Sequence, residues 1–130
     1  MSPLLLDTHV LYWFATDPDQ LSDAANQAIS EADQVAVASV TWYELSWLAH
    51  HGRIAADIPV RGWLSRLARD VVTFQLTPAI ADTAVCLPET FPRDPSDRVI
   101  YATAIENGLR LVSKDRRLRG HPYPRPLVVW

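Results

Sequence analysis

The chain has 130 residues and a single cysteine, Cys86, so it has neither a disulfide framework nor a thiolate metal site. Its apolar and charged fractions are those of an ordinary globular protein, and its length suits one domain, residues 1–130. A net charge of −3 argues against indiscriminate coating of nucleic acid, and the apolar run in "MSPLLLD" is far too short for a signal peptide or membrane span. A cytoplasmic protein without membrane attachment is the simplest expectation.

In chain order, "PLLL" reads as a short buried strand that stops at Asp7, and "THVLYWFAT" as a helix apolar all round. "DPDQLS" reads as a loop, after which Ser22 can cap "DAANQAISEA". "QVAVASV" is a second strand, and "TWYELSWLAHHG" a helix closed by Gly52. "PVRGWLSRLARD" is helical with Pro59 near its start, and "VVTFQL" is β-branched and strand-like. "TPAIADTAVCL" opens with a Thr cap and a proline in the first turn. "DPSDRVIYATAIENG" is a helix ending at Gly108, followed by the strand "LRLVS", a polar turn "KDRRLRG", the proline-rich "HPYPRP" and a terminal strand "LVVW". Strands alternating with helices predict an α/β fold with a mainly parallel sheet covered on both faces. The five tryptophans are expected mostly in the core, although Trp42, Tyr43, Trp47 and Leu48 also suit a partner groove.

Charge is unevenly distributed. Residues 1–60 hold eight acids and one base, a net −7, whereas residues 61–130 hold seven acids and eleven bases, a net +4. Arg110, Lys114, Arg116, Arg117 and Arg119 crowd one stretch, a pattern that fits phosphate contacts and fits a solvated surface about equally.

The acids fall at telling places. Asp7 closes the first strand, Glu44 lies in the helix after the second, Asp97 in the first turn of the helix before the fourth, and Asp115 just beyond the fourth, beside Ser113. In a parallel sheet, ligands collect beyond the carboxyl ends of the strands, where the next helices begin. Four carboxylates from distant positions therefore converge on one rim. Two like charges about 4 Å apart repel by about 4 kcal/mol at an effective dielectric of 20, so such a rim requires protons or a hard cation such as Mg²⁺. Taken singly, each acid is equally a cap or turn residue. Asp94, Pro95 and Asp97 in particular suit the N-cap, first and third positions of a helix.

Other chemistries fit poorly. There is no nucleophile elbow, the four glycines build no phosphate loop, and His9, His50, His51 and His121 lack zinc-site spacing. A phosphoacceptor receiver needs an acidic pair after the first strand and an acid after the central one; "LLLDTH" supplies one acid and "VVTFQL" none. A D-x-D-x-T phosphatase fails because His9 stands where its second Asp belongs.

Taken together and in order, "LLLDTHVLYWF", "VASVTWYEL", "RDPSDRVIYATA" and "LVSKD" resemble the PIN-domain ribonucleases, most closely the toxin half of VapBC-type toxin–antitoxin pairs. The resemblance covers essentially the whole chain. It implies a three-layer αβα sandwich and a catalytic, metal-binding quartet Asp7, Glu44, Asp97 and Asp115 holding Mg²⁺ or Mn²⁺. It further implies RNA phosphodiester hydrolysis leaving a 5′-phosphate and a 3′-hydroxyl. Ser113 takes a place the family fills with Thr or Ser beside the metal, and Asp94 fits a "DPxDR" variant, as a cap with outer-shell duty. Lys114, Arg116, Arg117 and Arg119 are then candidates to hold the RNA backbone. A cognate antitoxin and a homodimer are the implied partners. The alternative is a PIN-like RNA- or protein-binding module without catalysis, whose mark would be a broken quartet.

Overall fold

The computed structural model describes residues 3–130. Five strands, β1 (Leu4–Leu6), β2 (Val35–Ala38), β3 (Val72–Phe74), β4 (Leu111–Val112) and β5 (Val128–Val129), form one sheet in the order β3-β2-β1-β4-β5. Every pairing is parallel, so the sheet is parallel throughout rather than mainly so. Around it lie α1 (Thr8–Thr16), α2 (Asp23–Glu31), α3 (Val40–His50), α4 (Val60–Ala68), α5 (Pro78–Val85), α6 (Pro95–Glu106) and the one-turn α7 (Arg116–Arg119).

The pleat sorts side chains into two cores. Leu5, Ala36, Ala38 and Leu111 point to one face, where Phe91, Ile100, Tyr101, Ala104 and Leu118 cover them. Leu4, Leu6, Val37 and Val112 point to the other, under Val10, Leu11, Ala25, Leu45 and Trp63. Adjacent residues of one strand thus serve opposite layers, as a period of two requires, and an αβα sandwich results. α5 packs outside α6 through Ile80, Ala84 and Ala102.

Helix ends follow local chemistry. Ser22 and Thr77 accept hydrogen bonds from the Ala25 and Ile80 amides at 3.0 and 3.1 Å. α3 and α6 both end in a left-handed glycine, Gly52 (φ 69°) and Gly108 (φ 64°). Around each, two amides return to the last turn: Arg53 N to Leu48 O and Gly52 N to Ala49 O, and likewise Leu109 N to Ala104 O and Gly108 N to Ile105 O.

Four sequence expectations are corrected. "KDRRLRG" is not a simple polar turn, because the Asp115 carboxylate caps it into α7. The "DPDQLS" loop contains a single 3-10 turn, Pro18–Gln20. Only Trp63 among the tryptophans is fully buried; Trp13, Trp42 and Trp130 are half-buried and Trp47 is exposed. "VLYWF" buries Val10 and Leu11 but exposes Phe14, so α1 is not apolar-packed all round. Among the described residues, no helix is long and apolar enough to cross a membrane.

Candidate active site

β1 is central, and the chain crosses from its β2 side to its β4 side between β3 and β4, which opens a crevice beyond β1 and β4. Asp7 sits at that point. Its amide still pairs with Val112 O at 3.0 Å, so the carboxylate leaves the sheet in fixed register. One oxygen accepts from the Thr8 amide at 2.8 Å, the other from Ser113 Oγ at 2.7 Å. Ser113 Oγ in turn accepts from the Asp115 amide at 3.1 Å, tying the ends of β1 and β4 together.

Glu44 enters from the second turn of α3. Thr8 Oγ1 donates to Glu44 Oε1, and Thr41 Oγ1 lies 3.1 Å from the same hydroxyl. Thr8 has one proton and gives it to the carboxylate, so Thr41 is the donor in that second contact. Both threonines are buried. Sequence reading passed over them; their one signal was two polar residues on otherwise apolar helix faces.

Asp94 and Asp97 come from the start of α6. Asp94 Oδ1 accepts the Asp97 amide at 3.1 Å, the N-cap geometry expected, while the Asp97 side chain turns inward. Arg98, unremarked in the sequence beyond its place in "DPSDR", anchors this turn. It donates to Pro92 O (2.8 Å), Ala84 O (3.0 Å) and Phe91 O (3.4 Å), with its guanidinium 5.7 Å from the Phe91 ring centre.

Together Asp7, Glu44, Asp94, Asp97 and Asp115 line one cavity of about 420 Å³, with His9, Trp13, Lys114 and Arg117 on its walls. All four acids of the expected quartet, the cap Asp94, and two of the four expected RNA-binding cations are thus brought together. Arg116 and Arg119 lie exposed on α7 and do not line it. Arg117 departs from expectation in another way. It is not a free surface cation: Nη2 reaches Asp115 Oδ2 at 2.7 Å and Asp97 Oδ2 at 3.3 Å, and Nε reaches Asp115 Oδ1 at 3.1 Å. Ser113 stands where the sequence put it, buried under Asp7.

The electrostatics are strained. Burial pushes the Asp7 and Glu44 carboxyls up, against hydrogen bonds from Ser113 and Thr8 respectively. Asp97 is pushed up to about 7, first by burial and then by Asp7, Asp94, Asp115 and Glu44. Asp115, by contrast with these three, is lowered, because Arg117 clasps it. The single long contact from Arg117 to Asp97 does not offset the crowd of carboxylates around it.

A consequence is measurable in metal-free protein. Folded Asp97 keeps its proton to about pH 7, while the unfolded carboxyl releases it near pH 4. Between those values the folded state binds the extra proton, so stability falls as pH rises through the interval. After discounting for solvent and Arg117 screening, the protein should be about 1–2 kcal/mol more stable near pH 5 than near pH 8. Urea unfolding in chelator at the two pH values checks this. Equal stability would mean that Asp97 ionises normally.

An all-oxygen donor set whose members repel one another suits a hard divalent cation. As placed, no three His, Cys, Asp or Glu side chains among the described residues are grouped to hold one ion. The Arg117 guanidinium spans Asp97 and Asp115 instead, which offsets part of the same excess charge. The donors fit such an ion in kind, and would have to draw together to share it.

Residues 4–122 match the PIN domain family. Over all 130 residues, and the full length of both chains, the sequence is 58% identical to Ribonuclease VapC22 of Mycobacterium tuberculosis. The fold is shared with VapBC2 from Rickettsia felis bound to a DNA fragment from their promoter (TM-score 0.70, 12% identical, covering 98% of this chain and 97% of that one). It is shared also with a toxin-antitoxin complex from Klebsiella pneumoniae (TM-score 0.68, 22% identical, 98% and 96% covered). VapBC-5 from Mycobacterium tuberculosis is a third (TM-score 0.62, 20% identical, 98% and 96% covered). At those identities the structural likeness bears on the αβα fold alone.

Proposed function

The chain belongs to the PIN-domain family, as a VapC-type ribonuclease, and from that premise we propose that its carboxylate basin hydrolyses RNA phosphodiester bonds with Mg²⁺ or Mn²⁺, as the toxin of a type II toxin–antitoxin pair in the cytoplasm. The observation that carries this reading is the convergence of five carboxylates on one cavity beyond β1 and β4.

Asp7 and Asp97 would hold the ion, with Glu44 and Asp115 completing the set. When bound, the ion supplies polarisation of the scissile phosphate and a lowered pKa for an attacking water. The protein's own groups do the rest. Ser113 and the Thr8 amide fix both Asp7 oxygens, so that carboxylate needs no reorganisation. Thr8 holds Glu44 Oε1 and leaves Oε2 free to complete that set. Lys114 and Arg117, on the wall of the cavity, would meet phosphate oxygens, and a phosphate would compete with Asp97 for the Arg117 fork. Arg116 and Arg119 extend the positive surface outward, for salt-dependent binding of the backbone.

A small antitoxin protein is the proposed restraint, since a ribonuclease without one would damage its own cell, and the fold's neighbours include complexes of that kind. A homodimer is proposed as well. The exposed aliphatics Leu76 and Val85 flank a groove between α5 and α6 that suits protein contact. The rival reading, a binding module without catalysis, calls for a broken quartet, and this one is whole.

Incubating purified protein with cellular RNA should give cleavage in Mg²⁺ or Mn²⁺ and none in chelator, with 5′-phosphate ends. Cleavage that persists in chelator would remove the metal from the reading. No cleavage under any condition would leave the binding module.

A further inference from the structure

Beside the basin lies a second hollow of about 300 Å³, lined by His9, Tyr43, Glu44, Trp47, Leu48, Asp94 and Ser96. It shares His9, Glu44 and Asp94 with the first, so the two adjoin. Its size suits a single ring system. Tyr43 and Trp47 are one helical turn apart on the same face of α3, and Tyr43 is 71% exposed. The Tyr43 hydroxyl bonds nothing among the described residues, so its ring is not held out for a structural contact. Trp47 is held in place: His51 stacks on it at 3.9 Å and 17°, and the Arg53 guanidinium lies 6.0 Å from its ring centre. Arg53 forms no ion pair among the described residues and is exposed.

Resting on the ribonuclease reading of the basin, we propose that this hollow is a base-stacking subsite, in which one unpaired nucleobase flanking the scissile phosphate lies on Tyr43 and Trp47 while Arg53 meets its backbone phosphate. The order along α3 supports an RNA occupant. Glu44 at the basin lies between Tyr43 and Trp47, and Arg53 follows just past the helix end, so a chain leaving the carboxylates along α3 passes rings and then a positive charge. Mixed polar and aromatic walls match a base, with its flat face and polar edges, whereas the α5–α6 groove has no aromatic ring and is apolar apart from Arg93 and Arg98. Stacking of this kind tolerates many sequences and requires a single-stranded or looped substrate.

The test is anisotropy titration of a labelled single-stranded poly(A) oligonucleotide in Ca²⁺, beside an abasic ribose-phosphate strand of equal length. Wild-type protein should prefer poly(A). Tyr43→Ala should weaken poly(A) binding about tenfold and leave the abasic strand nearly unchanged, while Tyr43→Phe should retain wild-type affinity. Exposure of Tyr43 makes misfolding of these variants no obstacle, and far-UV circular dichroism verifies it. Equal affinity of wild type and Tyr43→Ala for poly(A) would overturn the subsite. A change confined to sedimentation would do so too, assigning the rings to a protein interface. The basin is judged separately: metal-dependent RNA cleavage by Tyr43→Ala with unaltered poly(A) affinity sinks the subsite alone, and no cleavage by wild type sinks the reading beneath it.

Discussion

Asp97→Asn should reduce metal-dependent RNA cleavage about a hundredfold or more while leaving the fold intact. The loss is on the scale seen when one preorganised electrostatic group is removed from a site where charge develops. Intact folding follows from geometry. Asp94 caps α6 through the Asp97 backbone amide, which asparagine keeps, and the new side chain has the same shape. Stability without metal should even rise by about 1 kcal/mol at neutral pH, because a carboxyl pushed up to about 7 by burial and by four neighbouring acids is replaced with a neutral group. Added Mg²⁺ or Mn²⁺, which stabilises wild type by mass action, should then have a reduced effect. Thermal unfolding with and without the ion, run beside cleavage assays, separates these outcomes. Full cleavage and a full metal-dependent shift in Asp97→Asn would show that the ion is held elsewhere. Asp94→Asn should be mild, since asparagine caps about as well as aspartate.

Arg98→Ala should destabilise the protein by about 2–4 kcal/mol, a larger effect on stability than any change among the catalytic acids. The guanidinium satisfies the carbonyls of Ala84, Phe91 and Pro92, and so ties the end of α5 and the following loop to the first turn of α6. Removing it leaves partly buried acceptors without a donor and opens space against the buried Phe91. Lysine should not restore stability, because one ammonium at the end of a flexible stem cannot present the planar fork that spans three carbonyls. Cleavage should fall with stability, since the same turn aims Asp97 into the basin. Denaturant unfolding measures the first effect. A change below about 0.5 kcal/mol would mean that the loop holds its shape without the arginine.

Much of this molecule is legible along the chain because its determinants are local. Ser22, Thr77 and Asp94 cap helices with hydrogen bonds spanning three residues, and Gly52 and Gly108 end them through backbone angles that glycine adopts without penalty. Alternation of strand and helix implied a parallel sheet, and a parallel sheet puts strand ends and helix starts on one edge. The meeting of Asp7, Glu44, Asp97 and Asp115 therefore follows from topology before any distance is known.

What the sequence could not decide were the side chains whose surroundings come from far along the chain. Thr8 became a support for Glu44 only when α1 met α3. Arg98 became an anchor only when the loop before α6 folded over it. Arg117 turned into the basin because Asp115, in capping α7, offered it a carboxylate two residues away with Asp97 just beyond. Tyr43 and Trp47 share an apolar helix with Leu45, and composition alone left the two rings suited to a core or to a partner groove. Tertiary packing buried Leu45 and left the two rings outside, because one helix has one buried face and the sheet had room for no more of it.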